Sequence, residues 1–260
     1  MKIDILRRCV AECVGTFALV FIGCTTRAMI GDTTDFAGIL VVHLAFASTI
    51  AAMIYTLSHI SAAIFNPALT FGFAISGRFP WRYVLPYWLA QFVGAVLAVG
   101  LDFILLPKQA SAVHFGATMP KAGILPALTI EIILTFFLML VNMSSATDKR
   151  LKRADSGLAV GFVILASGLM ANSLSGASMN PARSLGPALF AGGNAIIDVW
   201  IYFVGPFLGA LLAVGLYQMI RGSCDHTKDV LEEPPVEEKT ILQKKPDSIN
   251  THLLQRSKCL

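Results

Sequence analysis

The chain has 260 residues, of which 55% are hydrophobic and 14% are charged, a composition too apolar for an ordinary soluble domain. The net charge is +4, and the Lys and Arg residues form no basic stripe along the sequence. Nucleic acid is therefore not expected among the partners. The mean hydropathy is +0.69, and the apolar residues gather in long runs. Together they predict a single bundle of membrane-spanning helices.

Six runs reach or approach the length of about 20 mainly apolar residues that a membrane-spanning helix needs. They lie near residues 9–30, 36–57, 83–106, 124–145, 156–174 and 198–220. The fifth is the shortest. Because the number of spans is even, both ends of the chain are expected on the same side of the bilayer.

Basic residues concentrate in the segments that all face this one side. They are Lys2, Arg7, Arg8, Arg78, Arg82, Lys149, Arg150, Lys152, Arg153 and Arg221. Since Lys and Arg favour the cytoplasmic side, we expect a multi-pass protein of the plasma membrane with both termini in the cytoplasm.

One tripeptide occurs in each half of the chain. The two copies are Asn66-Pro67-Ala68 and Asn180-Pro181-Ala182. Asn suits the cap of a helix and Pro suits its first position, so each copy predicts a helix start. The helical segments that follow, about 66–76 and 181–191, are too short to span a bilayer. Two re-entrant half-helices that line a pore are therefore predicted.

The two halves share a further pattern. Glu12 and Glu131 each lie inside an apolar span, and each is followed four residues later by a Thr on the same helix face. Three spans per half make the halves enter from opposite sides, which predicts an inverted repeat of about 1–115 and 116–221. Residues 1–221 would form the channel domain. The polar, Pro-containing stretch 222–260 would be a disordered cytoplasmic tail.

Two Asn-Pro-Ala copies in equivalent halves, the second followed by Arg183, form a specific signature. On these residues the chain resembles the aquaporin (major intrinsic protein) family over residues 5–221. The resemblance implies an all-α membrane fold of six transmembrane helices and two re-entrant half-helices. It also implies a homotetramer in the lipid bilayer, with one pore in each subunit.

The resemblance assigns roles to five residues. Asn66 and Asn180 would donate hydrogen bonds to a solute oxygen at the pore centre, and Arg183 would narrow the outer mouth. Glu12 and Glu131 would brace the re-entrant loops. From the residues alone, proton or ion transfer is the alternative for a carboxylate in a membrane span.

Aligning the motifs gives the other selectivity positions. They are Phe46 on the second span, Gly168 on the fifth and Ala177 three residues before Asn180, and Arg183 completes the set. Water-selective members of the family usually have His where this chain has Gly168. We therefore expect open space beside Phe46 and a filter that is wider and less polar than a strict water filter.

The expected function is a passive water channel that also passes small neutral solutes. Ser184 and Ala188 stand where glycerol-conducting members usually have Asp and Lys, which favours water. Gly168 favours the alternative, a glycerol or urea facilitator. The sequence therefore leaves the solute range open.

A membrane enzyme and a structural adhesion or regulatory protein are the alternatives from other functional classes. A membrane enzyme would need a catalytic or metal-binding constellation, and the sequence shows none, so neither a metal nor another cofactor is expected. A protein that kept the fold without conducting would have no use for Asn66, Asn180 and Arg183.

Ala177 replaces the cysteine that makes some family members sensitive to mercury, so mercurials are not expected to block this channel through that position.

Overall fold

The computed structural model describes residues 4–31, 35–147 and 156–221, which form helices and loops only. The helices in chain order are α1 Ile5–Ile30, α2 Phe36–Leu57, α3 Pro67–Ile75, α4 Val84–Leu105, α5 Pro107–Ala112, α6 Ile124–Thr147, α7 Ser156–Ala171, α8 Pro181–Ala191, α9 Gly193–Ile197 and α10 Ile201–Arg221. Short 3-10 turns precede α4 and follow α5.

The bounds of the long helices agree with those of the predicted spans to within a few residues. Five of the described helical stretches are long and apolar enough to cross a bilayer, and they contain α1, α2, α4, α6 and α10. The sixth apolar helix, α7, is described over 16 residues from Ser156. The first two spans begin at aspartates whose side chains cap the helix, with Asp4 accepting from the Arg7 N–H at 2.9 Å and Asp35 from the Gly38 N–H at 2.6 Å.

The halves of the chain pack in the same way. In the first half α1 packs along α4, in the second α6 packs along α10, and α2 and α7 pack together across the two halves. Gly94 lets α4 lie against the Cys13 carbonyl of α1, and Gly209 lets α10 lie against the Ile132 carbonyl of α6. A Cβ at either glycine would overlap that carbonyl oxygen.

The two short helices α3 and α8 fill the centre. Each packs against the last long helix of the other half, α3 against α10 and α8 against α4. Both begin at the middle of the molecule, where their first residues are buried. Helices that end at membrane depth are tolerated when protein or a polar cavity surrounds them, and here the long helices enclose both.

The bundle buries several charged and polar side chains beside its apolar core, and it exposes many large apolar side chains on its outer surface. Buried side chains include Glu12, Gln91, Glu131 and Arg183, while large apolar side chains such as Leu89 are exposed on the outer surface. An exposed apolar surface around buried charged groups suits a protein surrounded by lipid. Residues 222–260, predicted to be a disordered tail, lie outside the described residues, as do the basic residues of 149–153.

Candidate functional site

The starts of α3 and α8 meet at the centre of the bundle. The Asn66 side-chain oxygen accepts from the Ala68 N–H at 2.9 Å, and the Asn180 oxygen accepts from the Ala182 N–H at 3.0 Å. Pro occupies the first helical position after each Asn. The positive ends of two helix dipoles are therefore directed at one place, which is unfavourable for a cation.

The two asparagines also link the halves. The Asn66 amide nitrogen donates to the Met179 carbonyl at 2.8 Å, and the Asn180 amide nitrogen donates to the Phe65 carbonyl at 2.9 Å. Each amide has two N–H groups, so one remains for another acceptor. Both asparagines line the same internal cavity.

Glu12, fully buried on α1, holds the loop that precedes α3. Its carboxylate accepts from the Ile64 N–H at 3.0 Å and from the Phe65 N–H at 2.7 Å. The hydroxyl of Ser61 and the amide of Gln91 each donate at 2.8 Å. Four donors therefore satisfy a carboxylate that would otherwise be costly at this depth.

Glu131, fully buried on α6, makes the equivalent contacts in the second half. It accepts from the Ser178 N–H at 2.8 Å, the Met179 N–H at 2.7 Å and the Ser175 hydroxyl at 2.7 Å. No counterpart of Gln91 donates to it among the described residues. Both carboxylates thus bind backbone N–H groups of the loop that precedes a half-helix, one in each half.

These loops adopt an unusual backbone conformation at four non-glycine positions. Ala63 and Phe65 have φ of 48° and 52°, and the equivalent Ala177 and Met179 have φ of 51° and 55°. Left-handed backbone at such residues costs on the order of 1 kcal/mol each, so the structure around it must compensate. The hydrogen bonds to the two glutamates provide this compensation. The conformation turns the Phe65 and Met179 carbonyls towards the two asparagines.

Arg183, the third residue of α8, lies beside the Asn pair, towards the end of the bundle at which α1 ends and where Arg27 lies. This end of the bundle is called the outer end below. Its guanidinium donates to the Gly116 carbonyl at 2.9 Å and lies 4.9 Å from the centroid of the Phe46 ring. The side chain is only 9% exposed. The Phe46 ring itself packs on Gly23 of α1, where a Cβ would overlap it. An aromatic wall and a cation therefore face each other.

Two cavities meet at this point. The inner one is lined by the apolar side chains Ile50, Ile54, Ile64, Leu69, Leu138, Val160 and Ile164, with Asn66, Asn142 and Asn180 as its amides. The outer one is lined in part by Arg27, His114, Lys121 and Asn172. The residues that line both are His43, Phe46 and Arg183. They mark the boundary between the two cavities.

The boundary differs from the sequence prediction at Gly168. The sequence predicts open space beside Phe46 there, but the His43 imidazole fills that space. A Cβ on Gly168 would overlap the His43 ring, and Gly168 itself is buried. Ala177 does line the inner cavity. The boundary is therefore narrower and more polar than the Phe46, Gly168, Ala177 and Arg183 set implied.

Sequence reasoning missed three contributors. His43 lies three residues before Phe46 on the same helix face, a spacing that could have placed it at the same boundary. Gln91 carried a usable signal too, since an amide inside an apolar span needs a polar partner. The Gly116 carbonyl carried none, because a backbone acceptor in a loop has no residue-type signature.

The site offers hydrogen-bond donors, backbone acceptors and apolar walls. Among the described residues no group of three His, Cys, Asp or Glu side chains could hold a metal ion. The one charged side chain among the residues that line both cavities is a cation, Arg183. This arrangement suits the passage of neutral, hydrogen-bonding molecules in single file.

Comparisons with known proteins agree with this geometry. The family model of the Major intrinsic protein matches residues 1–217. Aquaporin NIP1-1 of Zea mays is 42% identical over 224 residues, which cover 85% of this chain and 77% of that protein. The Putative aquaporin NIP4-1 of Arabidopsis thaliana is 43% identical over 218 residues, covering 83% and 75%. The X-ray structure of an aquaglyceroporin from Plasmodium falciparum matches with a TM-score of 0.76 at 22% identity, over 84% of this chain and 97% of that one, which supports the fold alone.

Proposed function

The chain belongs to the major intrinsic protein family, the aquaporins, and on that premise we propose that it is a passive channel for water and small neutral solutes. The observation that carries the proposal is the meeting of two half-helix starts at Asn66 and Asn180 on one internal cavity. The protein is an integral multi-pass membrane protein. The proposed function is conduction rather than catalysis.

The two asparagines are proposed to orient the permeating water. Each retains one amide N–H beyond its bond to the opposite loop. A water oxygen that accepts from both must turn its own hydrogens away along the pore, which interrupts a hydrogen-bonded chain of waters and hinders proton transfer. The two positive helix ends oppose cations at the same place.

Arg183, Phe46 and Ala177 are proposed as selectivity residues on the outer side of the pair. The Arg183 guanidinium donates to passing oxygen atoms and repels cations, while the Phe46 ring forms an apolar wall opposite. Glu12 and Glu131 are proposed as structural carboxylates, because hydrogen bonds from the loops occupy both of them.

The setting is proposed from charge and from family membership. Arg7, Arg82 and Arg221 belong to the same side of the bundle, which favours cytoplasmic termini. We propose a homotetramer in the plasma membrane, in which neighbouring copies and lipid cover the exposed apolar side chains. Residues 1–221 form the proposed channel domain, with 222–260 as a cytoplasmic tail.

Stopped-flow light scattering on proteoliposomes tests the proposal. Vesicles with the protein should shrink faster than protein-free vesicles in a sucrose gradient, and should re-swell as solute enters in glycerol and urea gradients. Fast shrinkage without re-swelling would restrict the channel to water. Dominant re-swelling would favour a glycerol or urea facilitator, and no flux above protein-free vesicles would overturn the channel.

A further inference from the structure

We propose that His43 is a specificity-determining residue of this pore, with its imidazole supplied from α2 into the space that Gly168 leaves on α7. This inference rests on the proposed function, because it concerns which solutes the channel admits. The polar side chain at the boundary between the two cavities would then come from α2, and not from position 168 on α7, where water-selective members of the family usually have His.

Position is the first argument. His43 precedes Phe46 by three residues, so the two side chains lie on one face of α2, with ring centroids 6.4 Å apart. Together with Arg183, both line the inner and the outer cavity. A side chain that borders both cavities lies at their boundary, where a permeating molecule must pass.

Exclusion of one side chain by the other is the second argument. Any side chain at position 168 would begin with a Cβ that overlaps the His43 ring. The imidazole and a side chain on α7 therefore compete for one volume. Because position 168 is glycine, the ring can occupy that volume and is only 4% exposed there.

A hydrogen bond supports the ring in this place. Nε2 of His43 lies 3.3 Å from the Asn172 Oδ1. Asn172 directly follows α7 and comes four residues after Gly168, so the two residues lie on the same face, one turn apart. Glycine thus makes room for the imidazole while the next turn supplies its partner. The ring is held in the constriction instead of turning out into the outer vestibule.

The consequence is a narrower opening than a Phe, Gly, Ala and Arg set would leave. We expect His43 to slow glycerol and urea more than water, because these solutes must fit between the imidazole, the Phe46 ring and the Arg183 guanidinium. Gly168 and His43 therefore act on selectivity as a pair.

The test compares water and glycerol permeability in proteoliposomes of wild type and His43→Ala. A difference of one methylene in the fit of a substrate to its pocket already changes discrimination by about tenfold or more. Because His43→Ala removes a whole ring, it should raise the glycerol-to-water permeability ratio by about tenfold or more. His59→Ala, at an exposed histidine that lines neither cavity, is the matched control and should leave the ratio unchanged.

A swap variant tests the pairing itself. His43→Ala with Gly168→His returns an imidazole to the same volume from α7, and should bring the ratio back towards that of wild type. Gly168→Ala should change the ratio when His43 is present and have little effect in the His43→Ala background, where the volume is vacant. Equal effects of Gly168→Ala in both backgrounds would overturn the pairing.

The wild-type measurement separates this inference from the function on which it rests. If wild type conducts water and His43→Ala conducts with an unchanged ratio, the inference fails while the channel stands. If wild type conducts nothing, the channel proposal fails first. If His43→Ala does not fold, His43→Cys replaces it in the test. A small thiol reagent is then added to His43→Cys, and the water flux is measured before and after. A water flux that the reagent leaves unchanged would overturn the inference.

Discussion

The side-chain amide of Asn66 donates to the Met179 carbonyl at 2.8 Å, across the boundary between the two halves of the chain. The start of α3 is thereby linked to the loop that precedes α8. Asn180 makes the reciprocal bond to the opposite loop at 2.9 Å. The same amides that face the cavity thus also fix the relative position of the half-helices. A substitution there affects both the contact between the two halves and the hydrogen-bond donors that line the cavity.

Asn66→Asp should open a path for protons or other cations. The carboxylate cannot donate to the Met179 carbonyl, and its negative charge offsets the positive helix ends that oppose cations. A pH-sensitive dye inside vesicles under an imposed potential should report faster acidification than in wild type. Asn142→Asp adds the same charge at an amide away from the helix starts and should stay proton-tight. Equal leaks in the two variants would contradict this explanation.

Glu131→Gln should destabilise the second loop. Gln keeps one acceptor oxygen but presents an amide N–H₂ to backbone donors, and a buried donor left without an acceptor costs about 1–3 kcal/mol. The midpoint of thermal unfolding in detergent, followed by intrinsic fluorescence, should fall. Asp198→Asn is the control, because no hydrogen bond to that carboxylate is found among the described residues. Similar midpoints for Glu131→Gln and wild type would argue against the bracing role.

Arg183→Ala should admit larger neutral solutes and weaken cation exclusion. The substitution removes the guanidinium that lies 4.9 Å from the Phe46 ring centroid, and so widens the outer constriction. Re-swelling in a glycerol gradient should accelerate, while water flux persists. Arg82→Ala is the matched control, since Arg82 lies 4.8 Å from the Tyr83 ring centroid away from both cavities. Identical solute rates in Arg183→Ala and wild type would remove Arg183 from selectivity.

Much of the fold could be predicted, because a helix that spans a membrane must be a long apolar run, and such runs are easy to identify in a sequence. Apolar runs of spanning length gave the long helices, and Asn-Pro pairs gave the starts of α3 and α8, since a cap and a Pro at the first turn act locally. The short helices α5 and α9 were not predicted. They lie in connections whose conformation depends on packing against the long helices.

The Gly168 region shows where local reasoning ends. A glycine in a span predicts missing volume, but which neighbour fills that volume depends on the relative rotation and height of α2 and α7. Three-dimensional packing sets both quantities. His43 was visible in the sequence, yet only the structure places its imidazole against Gly168.

Mercurials should not block wild-type water flux through a reaction at position 177. Ala177 carries no thiol, and Cys24, the buried thiol of α1, is only 1% exposed and lies under Gly116. A mercurial added outside the vesicles should therefore leave osmotic shrinkage unchanged. Inhibition that persists after Cys24→Ser would show that another thiol governs the flux.

Ala177→Cys then provides the most direct test that water passes along this cavity. Its osmotic water permeability is measured in proteoliposomes before a mercurial, after it, and after a reducing thiol. Passage along the cavity lined by residue 177 predicts fast shrinkage, block by the mercurial and recovery with the thiol. Shrinkage no faster than in protein-free vesicles, or fast shrinkage that the mercurial leaves unchanged, would contradict a water pore at the meeting of the two half-helices.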